Sequence, residues 1–202
     1  MKLYTSPTTP FGRKVMVLIL ETGFSEQVEI VTASGSPLAA GTIPLDLNPL
    51  GKIPTLMRDQ GFGPLYDSRV ICRYLDAVIG AGLYGAAPKV WDVLMLEATA
   101  DGILDAALLM AYEVRLRPED IRFPDWVEGQ WAKVARALNA VEAGWIDHLA
   151  GPLDMGQIAL ACALGYLDFR HDARGWRTGR PKLAEWAGEF AKRPSMQATG
   201  PV

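Results

Sequence analysis

Cysteine and histidine are scarce in this 202-residue chain, with two of each. Cys72 and Cys162 lie inside helix-like apolar patterns, form no CxxC pair and read as buried core thiols. His148 and His171 are too isolated to build a zinc site or a catalytic triad, so no metal is expected. Positive charge is not in excess either: 20 basic side chains stand against 23 acidic ones, and no Lys/Arg run forms a patch for phosphates. Nucleic acid is thereby excluded as an expected partner. No stretch reaches the ~18 apolar residues of a membrane span, and MKLYTSPTTPFGRK lacks the apolar core of a signal peptide. The expectation is a cytoplasmic protein without a membrane partner. Internal repeats, low-complexity tracts and coiled-coil heptads are also missing.

What is present is a hydrophobic content of 50%, enough to bury the core of one domain or two small ones. Lys2 to Thr5 reads as a strand and Ser6 to Thr9 as a turn. Thr9 is placed to cap a helix that Pro10 opens, with Phe11, Val15, Leu18 and Ile19 on its apolar face and Gly23 at its end. Gln27 to Val31 is a second strand, parallel to the first if the helix crosses between them. Residues 33–47 read as irregular, with one short helical possibility.

Asn48 to Leu56, NPLGKIPTL, is the densest stretch. Pro49, Leu50 and Gly51 form a tight turn, and Pro54 sits where a strand begins, so it gives up no ladder hydrogen bond. A cis Ile53–Pro54 bond would turn the neighbouring N–H and C=O outward, free for an extended ligand; the plainer reading is an ordinary turn before an edge strand. Thr55 to Arg58 is the third strand, and residues 59–63 form a hairpin turn into a fourth ending at Tyr66. Asp67 and Ser68 start a helix that Gly80 and Gly82 end.

Beyond Leu83 the pattern is helical throughout. Leu153 to Ile158 carries the clearest helix start: Asp154 caps, Gln157 reaches back, and Leu153 and Ile158 staple the first turn. Glu97, Asp101 and Asp105 repeat at helical spacing and read as a solvated face, or as a meeting point for a dimer neighbour's arginine.

TSPTTPFGRKV, NPLGKIPTL, YDSRVICRYLD and LDMGQIALACALGYLDF, in this order and spacing, make the chain resemble a cytosolic glutathione transferase over essentially its whole length. The form is similar to bacterial members whose first helix opens with serine before Pro-Phe. The resemblance implies an α/β, thioredoxin-like N-terminal domain over residues 1–80 and an all-α domain over 87–202, assembled as a homodimer. It also implies glutathione as co-substrate and a small electrophile as acceptor.

Glutathione offers an extended backbone, two carboxylates, an ammonium and a thiol, and the resemblance distributes these over the matching positions. The Ile53 main chain beside Pro54 pairs with the cysteinyl backbone in the manner of an added strand. Asp67 and Ser68, at a helix N-terminus, take the γ-glutamyl carboxylate and ammonium. Lys52 takes the glycyl carboxylate, and Phe11 completes the binding set. As local features alone, Asp67-Ser68 is a cap and Lys52 a solvated turn lysine.

A thiol of pKa ~8.5 has to be held as thiolate, and a hydroxyl donor at a helix start lowers that value. Thr9 stands where the serine is expected, with Ser6 or Thr8 as alternative donors. The change from serine leaves open a binding or assembly module without turnover. With no cysteine in this turn, thiol–disulfide and dehydroascorbate chemistry are not expected. The second substrate is expected near Met110, Tyr112 and Arg115, unless these simply pack in a core.

Overall fold

The computed structural model describes residues 1–59 and 61–201. Contacts divide the chain into two compact units, Met1–Ala86 with Pro194–Val202, and Ala87–Arg193. The sequence reading placed residues 194–202 with the helices. They belong with the first unit because Arg13 donates through Nη2 to the Met196 carbonyl at 2.9 Å and through Nε to Thr199 Oγ1 at 3.3 Å. Ser195 Oγ also donates to Glu21.

The first unit is a three-stranded sheet of order β2-β1-β3, with β1 at Lys2–Thr5, β2 at Glu29–Thr32 and β3 at Thr55–Met57. β1 and β2 pair in parallel from Lys2↔Glu29 to Thr5↔Thr32, and β1 and β3 pair antiparallel from Lys2↔Met57 to Tyr4↔Thr55. The expected fourth strand shrinks to one bridge, Leu56↔Leu65, held by a reciprocal pair of backbone bonds of 2.9 and 2.8 Å. Its sequence explains the shortfall: Gly61, Gly63 and Pro64 supply neither the side chains nor the N–H groups that extend a ladder. The expected hairpin turn includes Gln60, which lies outside the described residues. No helix forms in residues 33–47.

Helix α1 (Pro10–Glu21) and helix α2 (Ser68–Ile79) pack together, burying Val15, Leu18, Ile71 and Leu75. Cys72 is buried there, and α2 ends at Gly80 with φ 71°. Pro194–Ala198 forms a short helix that also packs on α1.

The second unit is helical. Its longest helix, α3 (Lys89–Leu116), packs along α6 (Met155–His171) and α4 (Pro124–Gly144), with the short α5 at Ile146–Leu149 and α7 at Pro181–Phe190. Helix α6 buries a continuous run from Met155 to Leu164 that includes Cys162. Its start is as expected: Asp154 Oδ1 accepts from the Gln157 N–H at 2.9 Å. Glu97 and Asp101 are not on a solvated face; both are buried, and only Asp105 is exposed. A helix covered on several sides has no broad polar face, so the i, i+4 spacing carried no information about exposure. Among the described residues no helix is long and apolar enough to cross a membrane.

Candidate functional site

The sheet's topology gathers three sequence stretches at one end. Because Tyr4 faces Thr55 in an antiparallel pair, the residues after β1 lie beside those before β3. The Leu56↔Leu65 bridge then brings the start of α2 alongside the same loop. Ser6–Thr9, Lys52–Pro54 and Asp67–Ser68 therefore converge, although up to 62 positions separate them in sequence.

At the first stretch, the Thr9 N–H donates to the Ser6 carbonyl at 3.3 Å and Ser6 Oγ lies 3.4 Å from Thr8 Oγ1. Thr9 is the N-cap residue by backbone, extended at φ −87° and ψ 120°, and its carbonyl accepts from the Arg13 N–H at 3.0 Å. The expected side-chain cap is not made. The orientation of Thr9 accounts for this: its methyl is turned toward the helix, Cγ2 lying 2.6 Å from where a Cβ on Gly12 would sit. The Thr9 hydroxyl is consequently left without a protein partner among the described residues. Gly12 is fixed by space: a Cβ there would also collide with Thr5 Oγ1, which is buried and has no hydrogen-bond partner of its own. Phe11 is half-buried on the first turn.

The second stretch is organised by Asn48, which is 1% exposed. Its Nδ2 donates to the Lys52 carbonyl at 2.8 Å and to Thr55 Oγ1 at 3.3 Å, while Oδ1 accepts from the Leu50 N–H at 3.0 Å. Thr55 Oγ1 donates to the same Lys52 carbonyl at 3.1 Å. Gly51 takes φ +59°, the left-handed turn that a Cβ disfavours. The Ile53–Pro54 bond is cis, and the Ile53 N–H and C=O have no protein partner among the described residues. The Lys52 side chain is exposed. Sequence reasoning missed the roles of Asn48 and Thr55, although an asparagine before Pro-Leu-Gly is itself the signature of a side chain bonding two residues ahead.

At the third stretch, Asp67 caps α2 as expected, Oδ1 accepting from the Arg69 N–H at 3.0 Å. The Tyr66–Asp67 peptide is cis. The Arg69 guanidinium, unforeseen in this role, lies 2.8 Å from Asp67 Oδ2. Burial pushes the Asp67 carboxyl up, but the Arg69 side-chain bond and charge, the Arg69 backbone N–H and the charge of Lys14 outweigh it and hold the group below its ordinary value. Ser68, the first helical residue, is 2% exposed, and its N–H and hydroxyl have no protein partner among the described residues.

The end of the sheet thus presents an unpaired peptide edge, an unspent hydroxyl and a helix N-terminus with an ionised aspartate. The residues expected for the second substrate all lie in the second unit. Met110 is core at 2% exposure, Tyr112 is half-buried and Arg115 exposed. The histidines serve structure: His171 Nε2 lies 2.9 Å from the Ala107 carbonyl, and burial lowers the pKa of its ring. No group of His, Cys, Asp and Glu able to hold a metal forms among the described residues.

Comparison with known proteins gives the same outline. Residues 8–78 match the model of the glutathione S-transferase N-terminal domain, and residues 124–189 that of the C-terminal domain. The uncharacterized GST-like protein YibF of Escherichia coli is 33% identical over 205 residues, covering 100% of this chain and 98% of YibF. A glutathione transferase family member from Pseudomonas fluorescens, crystallised with bound glutathione, superposes at a TM-score of 0.96 with 44% identity, covering 100% of this chain and 98% of that one. A Methylobacillus flagellatus glutathione S-transferase crystallised with glutathione gives 0.86 and 34%, over 100% and 99% of the two chains. On this sequence and fold evidence, the chain belongs to the glutathione S-transferase family, with that family's α/β thioredoxin-like unit joined to an all-helical one.

Proposed function

We propose that this protein binds glutathione at the end of its sheet, holds the sulfur as thiolate and transfers it to a small electrophile. The observation that carries the reading is the unpaired Ile53 peptide edge, set beside the Thr9 hydroxyl and the α2 N-terminus. An extended peptide ligand laid along Ile53 exchanges main-chain bonds with it as an added strand would. Its γ-glutamyl carboxylate meets the N–H groups opening α2 at Ser68, where the helix dipole favours an anion, and its ammonium meets ionised Asp67. Lys52 faces the glycyl carboxylate.

The thiol proton leaves to solvent, and Thr9 donates its hydroxyl hydrogen to the sulfur, with Ser6 as the neighbouring donor. The thiolate then attacks the electrophilic carbon. An S–C bond forms as the leaving group departs with its electron pair, or as a conjugated double bond opens and takes up a proton. The Pseudomonas fluorescens relative, also crystallised with S-(propanoic acid)-glutathione at 43% identity, supports the conjugation chemistry by analogy.

Calorimetry with glutathione tests the cradle; no heat at millimolar ligand would refute it. A panel of aryl halides, isothiocyanates and peroxides then tests turnover. Silence across the panel with binding intact would make the protein a binding or assembly module. We also infer a cytoplasmic homodimer, since Val70 and Val78 on α2, and Trp91 and Met95 on α3, leave apolar side chains in solvent. Light scattering should give twice the 22.0 kDa of the chain; a single-chain mass at micromolar concentration would refute the dimer.

A further inference from the structure

Strand β2 has a neighbour on one side only, being the outer strand of the order β2-β1-β3. Its parallel register with β1 decides which of its peptide groups are used. The Glu29 N–H donates to the Met1 carbonyl at 2.9 Å and the Ala33 N–H to the Thr5 carbonyl at 2.8 Å. Bonding residues alternate in a parallel ladder, so Glu29, Val31 and Ala33 face β1, while Ile30 and Thr32 direct their N–H and C=O groups away from the sheet. Those groups have no protein partner among the described residues. Edge strands are commonly blunted by lysine or proline; this one reads Glu-Ile-Val-Thr, and both Ile30, at 43%, and Thr32 are exposed.

A pocket of about 310 Å³ lies beside this edge, wholly within the first unit. Ile30 pairs with Leu3 and Thr32 with Thr5, so the four side chains share one face of the sheet. That face is the one α1 covers, since a Cβ on Gly12 would strike Thr5 Oγ1. Arg13, next to Gly12, therefore lies toward Thr32, and Met16, a turn further on, toward Ile30; all four line the pocket. No acidic side chain is among its described lining residues. The Arg13 guanidinium donates to the Met196 carbonyl and to Thr199 Oγ1, both neutral, and its Nη1 has no partner among the described residues. A cation anchored by neutral groups keeps its charge for another partner, and a planar guanidinium offers paired donors to a carboxylate.

We propose that the free edge of β2 docks an extended peptide segment of a partner protein, with an acidic side chain of that segment seated in the pocket on Arg13. Two outward peptide groups two residues apart are the spacing that an added strand engages. Alternation then puts two partner side chains, also two residues apart, over the pocket face. The one opposite Thr32 is acidic and meets Arg13; the one opposite Ile30 is apolar and lies on Met16. Neither Thr9, Ile53, Asp67 nor Ser68 lines this pocket, so the docking site is separate from the glutathione cradle and does not rest on it.

Amide hydrogen exchange, read residue by residue on the full-length protein, is the direct test. In the free protein Val31 and Ala33 should be protected and Ile30 and Thr32 should exchange freely. The blocked peptide acetyl-Lys-Thr-Glu-Thr-Val-Thr-Lys-amide should slow exchange at Ile30 and Thr32 and leave Val31 and Ala33 as they were. Replacing its glutamate by glutamine should weaken binding roughly tenfold, the strength of a charge-assisted hydrogen bond in a partly screened site. Arg13→Gln should erase the difference between the two peptides, and Arg13→Lys should retain part of it. Because Arg13→Gln also loosens the C-terminal segment, protected Val31 and Ala33 amides serve as its folding control, and the exchange made within the peptide tests the same pair in the unaltered protein. No slowing at Ile30 and Thr32 at millimolar peptide would overturn the docking edge, and equal affinity of the two peptides would overturn the role of Arg13. Protection of Ile30 and Thr32 in the free protein that grows with its concentration would put a second copy on the edge and overturn the peptide partner.

Discussion

Two helix starts in this protein use similar residues to opposite ends. At α6, Asp154 caps the Gln157 N–H, and the Gln157 amide in turn reaches the carbonyls of His148, Gly151 and Pro152 at 3.1–3.3 Å. His148 Nε2 lies 2.7 Å from Asp154 Oδ2, close enough for an ion pair although its ring N–H is poorly aligned to donate. Asp154 and Gln157 there are spent on neighbouring groups of the same structure. At α1, the Thr9 backbone is in cap geometry, yet its hydroxyl makes no cap bond and the neighbouring Ile53 peptide edge is unpaired. Buried or half-buried polar groups without partners cost free energy, and few of them are kept in a fold. The first start spends its side chains on structure; the second leaves the Thr9 hydroxyl and the Ile53 peptide edge unspent.

The largest expected stability effect tests that contrast at α6. Asp154→Ala should destabilise the protein by about 2 kcal/mol, lowering the thermal midpoint by roughly 4–8 °C, while glutathione affinity stays the same. Scanning calorimetry with and without ligand measures both. Thr9→Val is the converse case. Its stability should change by less than about 0.5 kcal/mol, because no cap bond is lost, while the pKa of bound glutathione rises by roughly one to two units. Thiolate absorbance against pH reads the second quantity. A Thr9→Val loss above about 1 kcal/mol would show that the hydroxyl does cap α1 in solution. An unchanged titration there, with a shift in Ser6→Ala, would move the donor role to Ser6.

Asp67 lies between the two cases, since it caps a helix and also faces the cradle. Asp67→Asn keeps a capping oxygen and removes the exposed pairing with Arg69, so its cost at pH 7 should stay below ~1 kcal/mol. The sign with pH follows from the lowered carboxyl. The stabilisation from ionised Asp67 is complete above its ordinary value of 3.8 and is lost as pH falls through the lower folded value. Urea midpoints of wild type and variant should therefore differ at pH 7 and converge in acid. A gap that widens in acid would contradict the Arg69 pairing.

What could be read from sequence was whatever is decided locally. The cap at Asp154, the turn at Gly51, Asp67 at the start of α2 and the glycine that ends it are chosen by residues within a few positions. The fourth strand was overread, because alternation around Leu65 cannot reveal that only one residue pair bridges to Leu56. Burial of Glu97 and Asp101 was hidden for a different reason: it depends on what covers α3, which spacing along one helix does not encode. At the candidate site the peptide edge and the helix start were legible. The unspent state of the Thr9 hydroxyl was not, because the same N-cap residue type makes the cap bond in one rotamer and not in another. Arg13 was invisible as a pocket residue until the C-terminal segment was seen to fold back onto α1.

The close seating of α1 on the end of β1 carries a consequence for how this site can vary. Thr5, Thr9 and Gly12 meet where no further carbon fits, so position 12 works as a spacer of zero thickness between strand and helix. Position 9 is the permissive one. Serine or threonine can exchange there, the methyl being added or removed on the side facing Gly12. An alanine at position 12 would force Thr5 and Thr9 to shift, disturbing the seat of the helix start on the strand. The residue at position 9 can change its identity, then, only for as long as the glycine at position 12 does not.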